Sequence, residues 1–113
     1  MKSDKKDIFQ IGLGLSQLNN NLYDKKKFTL NSIENLISYA LAKGIKYFDT
    51  SQDYGDTEKI LGRFNKSLKK KIHIFTKAGY ISNKKRNFTQ SYLKKKIMYS
   101  LKNLKLDCID TFF

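Results

Sequence analysis

The chain has 113 residues, enough for one modest domain with a core of its own. Hydrophobic residues make up 40% and aromatics 13%, which excludes a disordered chain, and no run approaches the roughly 18 apolar residues of a membrane span. The formal net charge of +13 brings nucleic acid or an acidic membrane surface into consideration as partners.

In chain order, Ile8 to Leu15 reads as a short strand running into a Gly12-Leu13-Gly14 turn, and Asn19 to Lys27 reads as a polar loop. Asn31 to Lys43 has the pattern of an amphipathic helix. Ile33, Leu36, Ile37, Ala40 and Leu41 recur at helical spacing, Asn31 and Glu34 resemble a capping box, and Gly44 suits the C-terminal cap. Ile45 to Phe48 follows as a strand. Asp56 to Phe64 is a second helix with Ile60, Leu61 and Phe64 on one side. Ile72 to Thr76 is a third strand. Thr89 to Leu104 is a third helix with Leu93, Ile97, Leu101 and Leu104 along one stripe, and Phe88 is placed to staple onto Leu93. Cys108 to Phe113 is a fourth strand. Four strands alternating with three helices imply an α/β fold with parallel strands and right-handed crossovers. A doubly wound sheet and part of a (β/α)8 barrel both fit, and a whole barrel needs about 250 residues.

All but two of the 23 basic residues are lysine. They fall in short runs at Lys25 to Lys27, Lys69 to Lys71, Lys84 to Arg86 and Lys94 to Lys96. Arginine is the residue suited to bidentate base and phosphate contacts, and its scarcity favours a solvated surface over a nucleic-acid interface. The single cysteine, Cys108, cannot form an internal disulfide and lies in an apolar run, so it reads as a small buried residue. Met1 to Asp7 is charged with no signal-like apolar stretch behind it, giving a reducing, cytoplasmic setting as the expectation. A dinucleotide-binding loop at Gly12-x-Gly14 needs a third glycine or alanine where Gln17 stands, and a helix directly after it. Neither is present.

The residues with chemistry gather where strands end. Tyr47-Phe48-Asp49-Thr50 runs into Tyr54-Gly55, Glu58 and Leu61-Gly62, and the third strand ends in Thr76-Lys77. Asp49, Tyr54 and Lys77 are thus expected on the face where parallel α/β folds place their sites. A tyrosine ordinarily ionises near pH 10, too high for ready proton donation at neutrality. An ammonium nearby stabilises the phenolate, an aspartate holds the ammonium, and the three together can protonate an oxygen gaining negative charge. Taken singly, each has a plainer explanation as a turn cap, a loop residue or a solvated lysine. Their order and topology together favour the site.

The string Phe48 to Gly62, F-D-T-S-Q-D-Y-G-D-T-E-K-I-L-G, resembles the aldo-keto reductase family. Weaker likenesses surround it at Gly12-Leu13-Gly14, Ala42 to Tyr47, Phe75-Thr76-Lys77, and from Ser100 through Leu106 to Asp110. The resemblance covers nearly the whole chain. It implies the N-terminal half of a (β/α)8 barrel over residues 1 to 113, and an oxidoreductase that reduces an aldehyde, ketone or sugar carbonyl with NADPH, less often NADH. It implies Tyr54 as proton donor, Lys77 as the residue tuning it, and Asp49 as the partner of Lys77 that also approaches the nicotinamide ribose. The family's fourth catalytic residue is a histidine just past the fourth strand, where this sequence reaches Asp110 to Phe113. The expectation is therefore a truncated form with little intrinsic activity. His73, at the start of the third strand, reads as a core or barrel-bottom residue. A half barrel leaves open sheet edges that favour self-association. A non-catalytic interaction or assembly module, and less so a basic nucleic-acid-binding domain, are the alternatives.

Overall fold

The computed structural model describes residues 11–18 and 28–113. The loop expected over Asn19 to Lys27, and the first strand before residue 11, lie outside them. Strand β1 (Gly12–Gly14) is followed by a 3-10 turn at Ser16–Leu18 and helix α1 (Leu30–Ala42), then β2 (Tyr47–Asp49), α2 (Thr57–Gly62), α3 (Lys66–Lys69) and β3 (His73–Thr76). A hairpin of β4 (Tyr80–Ser82) and β5 (Lys85–Arg86) precedes α4 (Gln90–Leu104) and β6 (Thr111–Phe112). Four strands make one parallel sheet in the order β1-β2-β3-β6. The alternation of strand and helix, and the parallel sheet it implies, are as the sequence predicts.

Among the described residues, the sheet is covered on one side only. Strand residues alternate faces, so Phe48 and Ile74, both essentially fully buried, point toward the helices. There they meet Ile33, Ile37 and Ala40 of α1, Leu61 of α2 and Leu104 of α4. The register Gly12↔Tyr47, Tyr47↔His73 and Asp49↔Phe75 puts the other set on the opposite face. Rings line that face: Tyr47 stacks on His73 at 5.2 Å and lies 5.6 Å from Phe75, which meets Phe113 edge-on at 6.4 Å.

Several local expectations are corrected. Gly12-Leu13-Gly14 is not a turn but strand β1 itself, paired with β2. Helix α1 is capped not by Asn31 with Glu34 but by Thr29, whose Oγ1 accepts from the Ser32 N–H at 3.1 Å. The earlier start brings Leu30 into the helix, and Thr29 is as able a cap as asparagine. At the other end Gly44 does have the left-handed φ, +89°, that a chain leaving a helix commonly needs. The fourth strand is only two residues long, and Cys108 precedes it and is exposed rather than buried. Of the two readings of His73, core and barrel bottom, the structure overturns the first and agrees with the second, since His73 begins β3. Its side chain is 48% exposed, on the face that no other described element covers, and Nδ1 lies 3.0 Å from Asp110 Oδ1. Phe88, expected to staple onto Leu93, lies with its ring where a Cβ of residue 79 would sit.

One glycine sets how closely two helices approach. A Cβ at Gly62 would run into the backbone carbonyl of Asn103 on α4. Backbone cannot swing aside as a side-chain tip can. Gly62→Ala is therefore expected to lose about 1–3 kcal/mol of stability, outweighing the roughly 1 kcal/mol that alanine gains over glycine in a helix. Urea unfolding followed by far-ultraviolet circular dichroism checks this, and an unchanged midpoint would show that α2 and α4 slide apart without cost.

Candidate active site

Lys77 follows the last residue of β3 and shares the open face with Asp49, one strand away. Its Nζ donates to both carboxylate oxygens of Asp49, each at 2.8 Å, and to the Thr50 carbonyl oxygen at 3.1 Å. Both side chains are about one-third exposed, 33% for Lys77 and 39% for Asp49. The same ammonium lies 5.2 Å from the centre of the Tyr54 ring. The structure thus brings together all three residues singled out in the sequence.

Tyr54 is held by its loop. The Thr50 N–H donates to Phe75 O at 2.8 Å and the Gln52 N–H to Lys77 O at 3.3 Å, which continues the β2–β3 pairing past the strand ends. The Tyr54 N–H then donates to Ser51 O, and the Tyr54 carbonyl accepts from the Thr57 N–H at 3.1 Å and Thr57 Oγ1 at 2.6 Å. Gly55 takes φ +56°, which a glycine adopts without steric cost, and the chain turns there into α2. The Tyr-Gly pair is the local device that ends the loop and starts the helix.

Beneath the loop lies a cluster whose role the sequence alone did not reveal. Glu58 on α2 is 2% exposed. Its Oε1 accepts from Thr76 Oγ1 and Ser100 Oγ, both at 2.7 Å, and its Oε2 accepts from Asn103 Nδ2 at 3.1 Å. Gln52 Nε2 adds a bond to Ser100 Oγ at 2.6 Å and another to Lys96 O at 2.6 Å. The buried carboxylate therefore joins the Tyr54 loop, the residue before Lys77 and helix α4. The signal for it was present: Glu58 leads a buried stripe that continues at Leu61 and Gly62, where a lone carboxylate stays only with donors around it.

The hairpin between β3 and α4 was also unforeseen. With Ser51, Asp53, Tyr54, Lys77 and Phe113, its residues Tyr80 and Arg86 line an open cleft of about 460 Å³. Burial in this region pushes the Asp53 carboxyl above its usual range, opposed by a hydrogen bond from Ser51 and by the charges of Lys96 and Arg86. Lys94 and Lys95 of α4 and Lys84 and Lys85 of the hairpin are exposed. No metal-ligating cluster occurs among the described residues, and none of their helices is long and apolar enough to cross a membrane.

A nicotinamide cofactor can be tested against these groups. Asp49 gives two contacts to Lys77 and retains lone pairs for a further donor such as a ribose hydroxyl. A pyrophosphate cradle is not found in the glycines of β1, which form part of the sheet ladder. The described residues fit the nicotinamide end of such a group and not its phosphates.

The family model described as "Aldo/keto reductase family" matches residues 10–113. Among curated proteins, the chain is 32% identical over 80 residues to the aldo-keto reductase str7 of Strobilurus tenacellus, covering 69% of this chain and 24% of that protein. It is 32% identical over 87 residues to the NADP(+) aldo-keto reductase yakc of Schizosaccharomyces pombe, covering 69% and 26%. A solved structure assigned to the aldo-keto reductases, from Pseudomonas aeruginosa, superposes with a TM-score of 0.78 at 24% identity, over 92% of this chain and 41% of that one. The glycerol dehydrogenase of Gluconobacter oxydans superposes at 0.64, again at 24% identity, over 91% and 34%. The chain thus spans about a quarter of the length of these curated relatives. Its parallel sheet and covering helices are part of the barrel that the solved neighbours share. With the match running over residues 10–113, the chain belongs to the aldo/keto reductase family.

Proposed function

We propose that this chain carries the proton-donating part of an NAD(P)H-dependent carbonyl reductase site acting on an aldehyde, ketone or sugar carbonyl. Tyr54 donates the proton, Lys77 supports the developing phenolate, and Asp49 fixes Lys77 and contacts the nicotinamide ribose. The observation that carries this reading is the Lys77 ammonium, bound to both Asp49 oxygens at 2.8 Å and 5.2 Å from the Tyr54 ring. The cofactor, when bound, supplies the hydride. The chain's own contribution is electrostatic: a fixed ammonium and a phenol hydroxyl at the strand ends favour the carbonyl oxygen as it becomes an alkoxide. A reducing, cytoplasmic setting suits the free thiol of Cys108.

The test is NADPH consumption at 340 nm by the purified chain with a small aldehyde. Tyr54→Phe is expected to lower the rate about 10²–10⁴-fold, the usual worth of a positioned general acid, with the unfolding midpoint nearly unchanged. A rate that is the same in Tyr54→Phe would remove Tyr54 as the donor.

A further inference from the structure

The β4–β5 hairpin places a cation at the cleft that the proton-donating machinery does not use. Tyr80 and Arg86 are a cross-strand pair, and the Arg86 guanidinium carbon lies 5.3 Å from the centre of the Tyr80 ring. The turn between the strands is tight, with φ +40° at Asn83 and +68° at Lys84, the left-handed pair of a two-residue hairpin loop. The hairpin leaves β3 at Gly79, where φ is +119° and the Phe88 ring occupies the space of a Cβ. Arg86 is therefore carried on a short, folded ribbon and stacked on a ring.

The cleft has three parts. Tyr54 and Lys77 supply polar groups, Tyr80, Phe88 and Phe113 supply rings, and Arg86 adds charge. Lys77 is matched by Asp49. Asp53 is the carboxylate near Arg86, but it feels Lys96 as well as Arg86. Glu58 also bears on Asp53, but the exposed Lys84 and Lys85 of the same hairpin add to Lys96 and Arg86 and leave an excess of positive charge on this side of the cleft. A guanidinium is also the side chain whose planar fork matches a carboxylate.

We propose that Arg86 is a specificity-determining residue, and that the cleft takes aromatic carbonyl compounds bearing a carboxylate. The ring lies among Tyr80, Phe88 and Phe113, the carbonyl oxygen reaches Tyr54, and the carboxylate pairs with Arg86. This rests on the carbonyl-reductase reading of Tyr54 and Lys77 and adds the class of substrate.

The test titrates the isotope-labelled 113-residue chain with 4-(hydroxymethyl)benzoate and with benzyl alcohol, following backbone amide shifts. The alcohols stand for the reduced products and cannot form imines with lysines. The carboxylate compound is expected to bind about tenfold more tightly, the worth of one charge-assisted contact, with shifts at Tyr54, Lys77 and Arg86. Arg86→Gln removes that preference and leaves benzyl alcohol affinity unchanged. Lys85→Gln, its neighbour on the hairpin, keeps the preference. Arg86→Lys covers the case in which glutamine loosens the hairpin: it holds the charge without the fork, and the preference falls partway. Equal binding of the two compounds at Tyr54 overturns the inference alone. So does a preference that survives both Arg86 variants, or carboxylate shifts centred on Lys46, Lys70 and Lys71. If benzyl alcohol leaves Tyr54 and Lys77 unshifted as well, the carbonyl-site reading falls and the inference falls with it.

Discussion

Replacing Glu58 with alanine is expected to lower the unfolding free energy by about 2–6 kcal/mol. Thr76 and Ser100 are both fully buried, and each gives its hydroxyl proton to Glu58 Oε1 at 2.7 Å. Leaving two buried donors without an acceptor costs about 1–3 kcal/mol apiece, and a cavity forms where the carboxylate was. An opposing effect exists, since burying a carboxylate is itself unfavourable by several kcal/mol when it lacks partners. Here three donors meet it, so the charge is largely compensated, and its loss relieves little. For a domain of typical total stability, about 5–15 kcal/mol, the change removes a large part of the whole. Glu58→Gln separates charge from hydrogen bonding. It keeps an oxygen for Thr76 and Ser100 and turns an amide toward Asn103, whose own amide can rotate to accept. It is expected to cost clearly less than alanine. Urea midpoints for the two variants and the parent decide the matter, and coincident midpoints for alanine and parent would show that the network does not hold the fold.

What the sequence made legible follows from where periodicity and short motifs are strong. Ile33, Ile37 and Ala40 recur over a helix of 13 residues, and the structure buries all three. Asp49, Tyr54 and Lys77 were placed together because each follows or ends an apolar strand, and parallel strands bring such ends to one side. The hairpin escaped for the opposite reason. Its strands are three and two residues long and exposed throughout, so no alternation can accumulate, and its turn carries Asn83-Lys84 where asparagine-glycine is the usual signal. Helix α3 has four residues and offers no period at all. The burial expected of Cys108 fails because an apolar neighbourhood in sequence is not one in space, whereas of the two places expected for His73 the start of its strand is right and the core is not. His73 lies on the uncovered face, and Cys108 lies in the exposed approach to β6. Hydrogen bonds between residues 42 and 45 positions apart, such as those joining Glu58 to Ser100 and Asn103, are set by tertiary packing, and only the buried stripe on α2 hints at them.

Lys77→Met is expected to have the reverse profile: a fall of about 10²–10⁴-fold in NADPH-dependent carbonyl reduction with a stability change under about 1 kcal/mol. The ion pair with Asp49 is partly open to water, with the two side chains 33% and 39% exposed. Solvent can therefore hydrate Asp49 once the ammonium is gone, and methionine retains much of the lysine stem's packing. The chemistry has no such substitute. On the proposed mechanism the ammonium, 5.2 Å from the Tyr54 ring centre, would steady negative charge as the proton leaves, and water in its place would have to reorient during the reaction. The comparison with Glu58 gives the test its force. Rates and urea midpoints measured on the same preparations should place Lys77→Met low in rate and normal in stability, and should place Glu58→Ala low in stability. If Lys77→Met lost both together, Lys77 would be a structural residue whose closeness to Tyr54 is incidental. If it kept its rate, proton donation would have to be assigned to a group other than the Asp49, Tyr54 and Lys77 set.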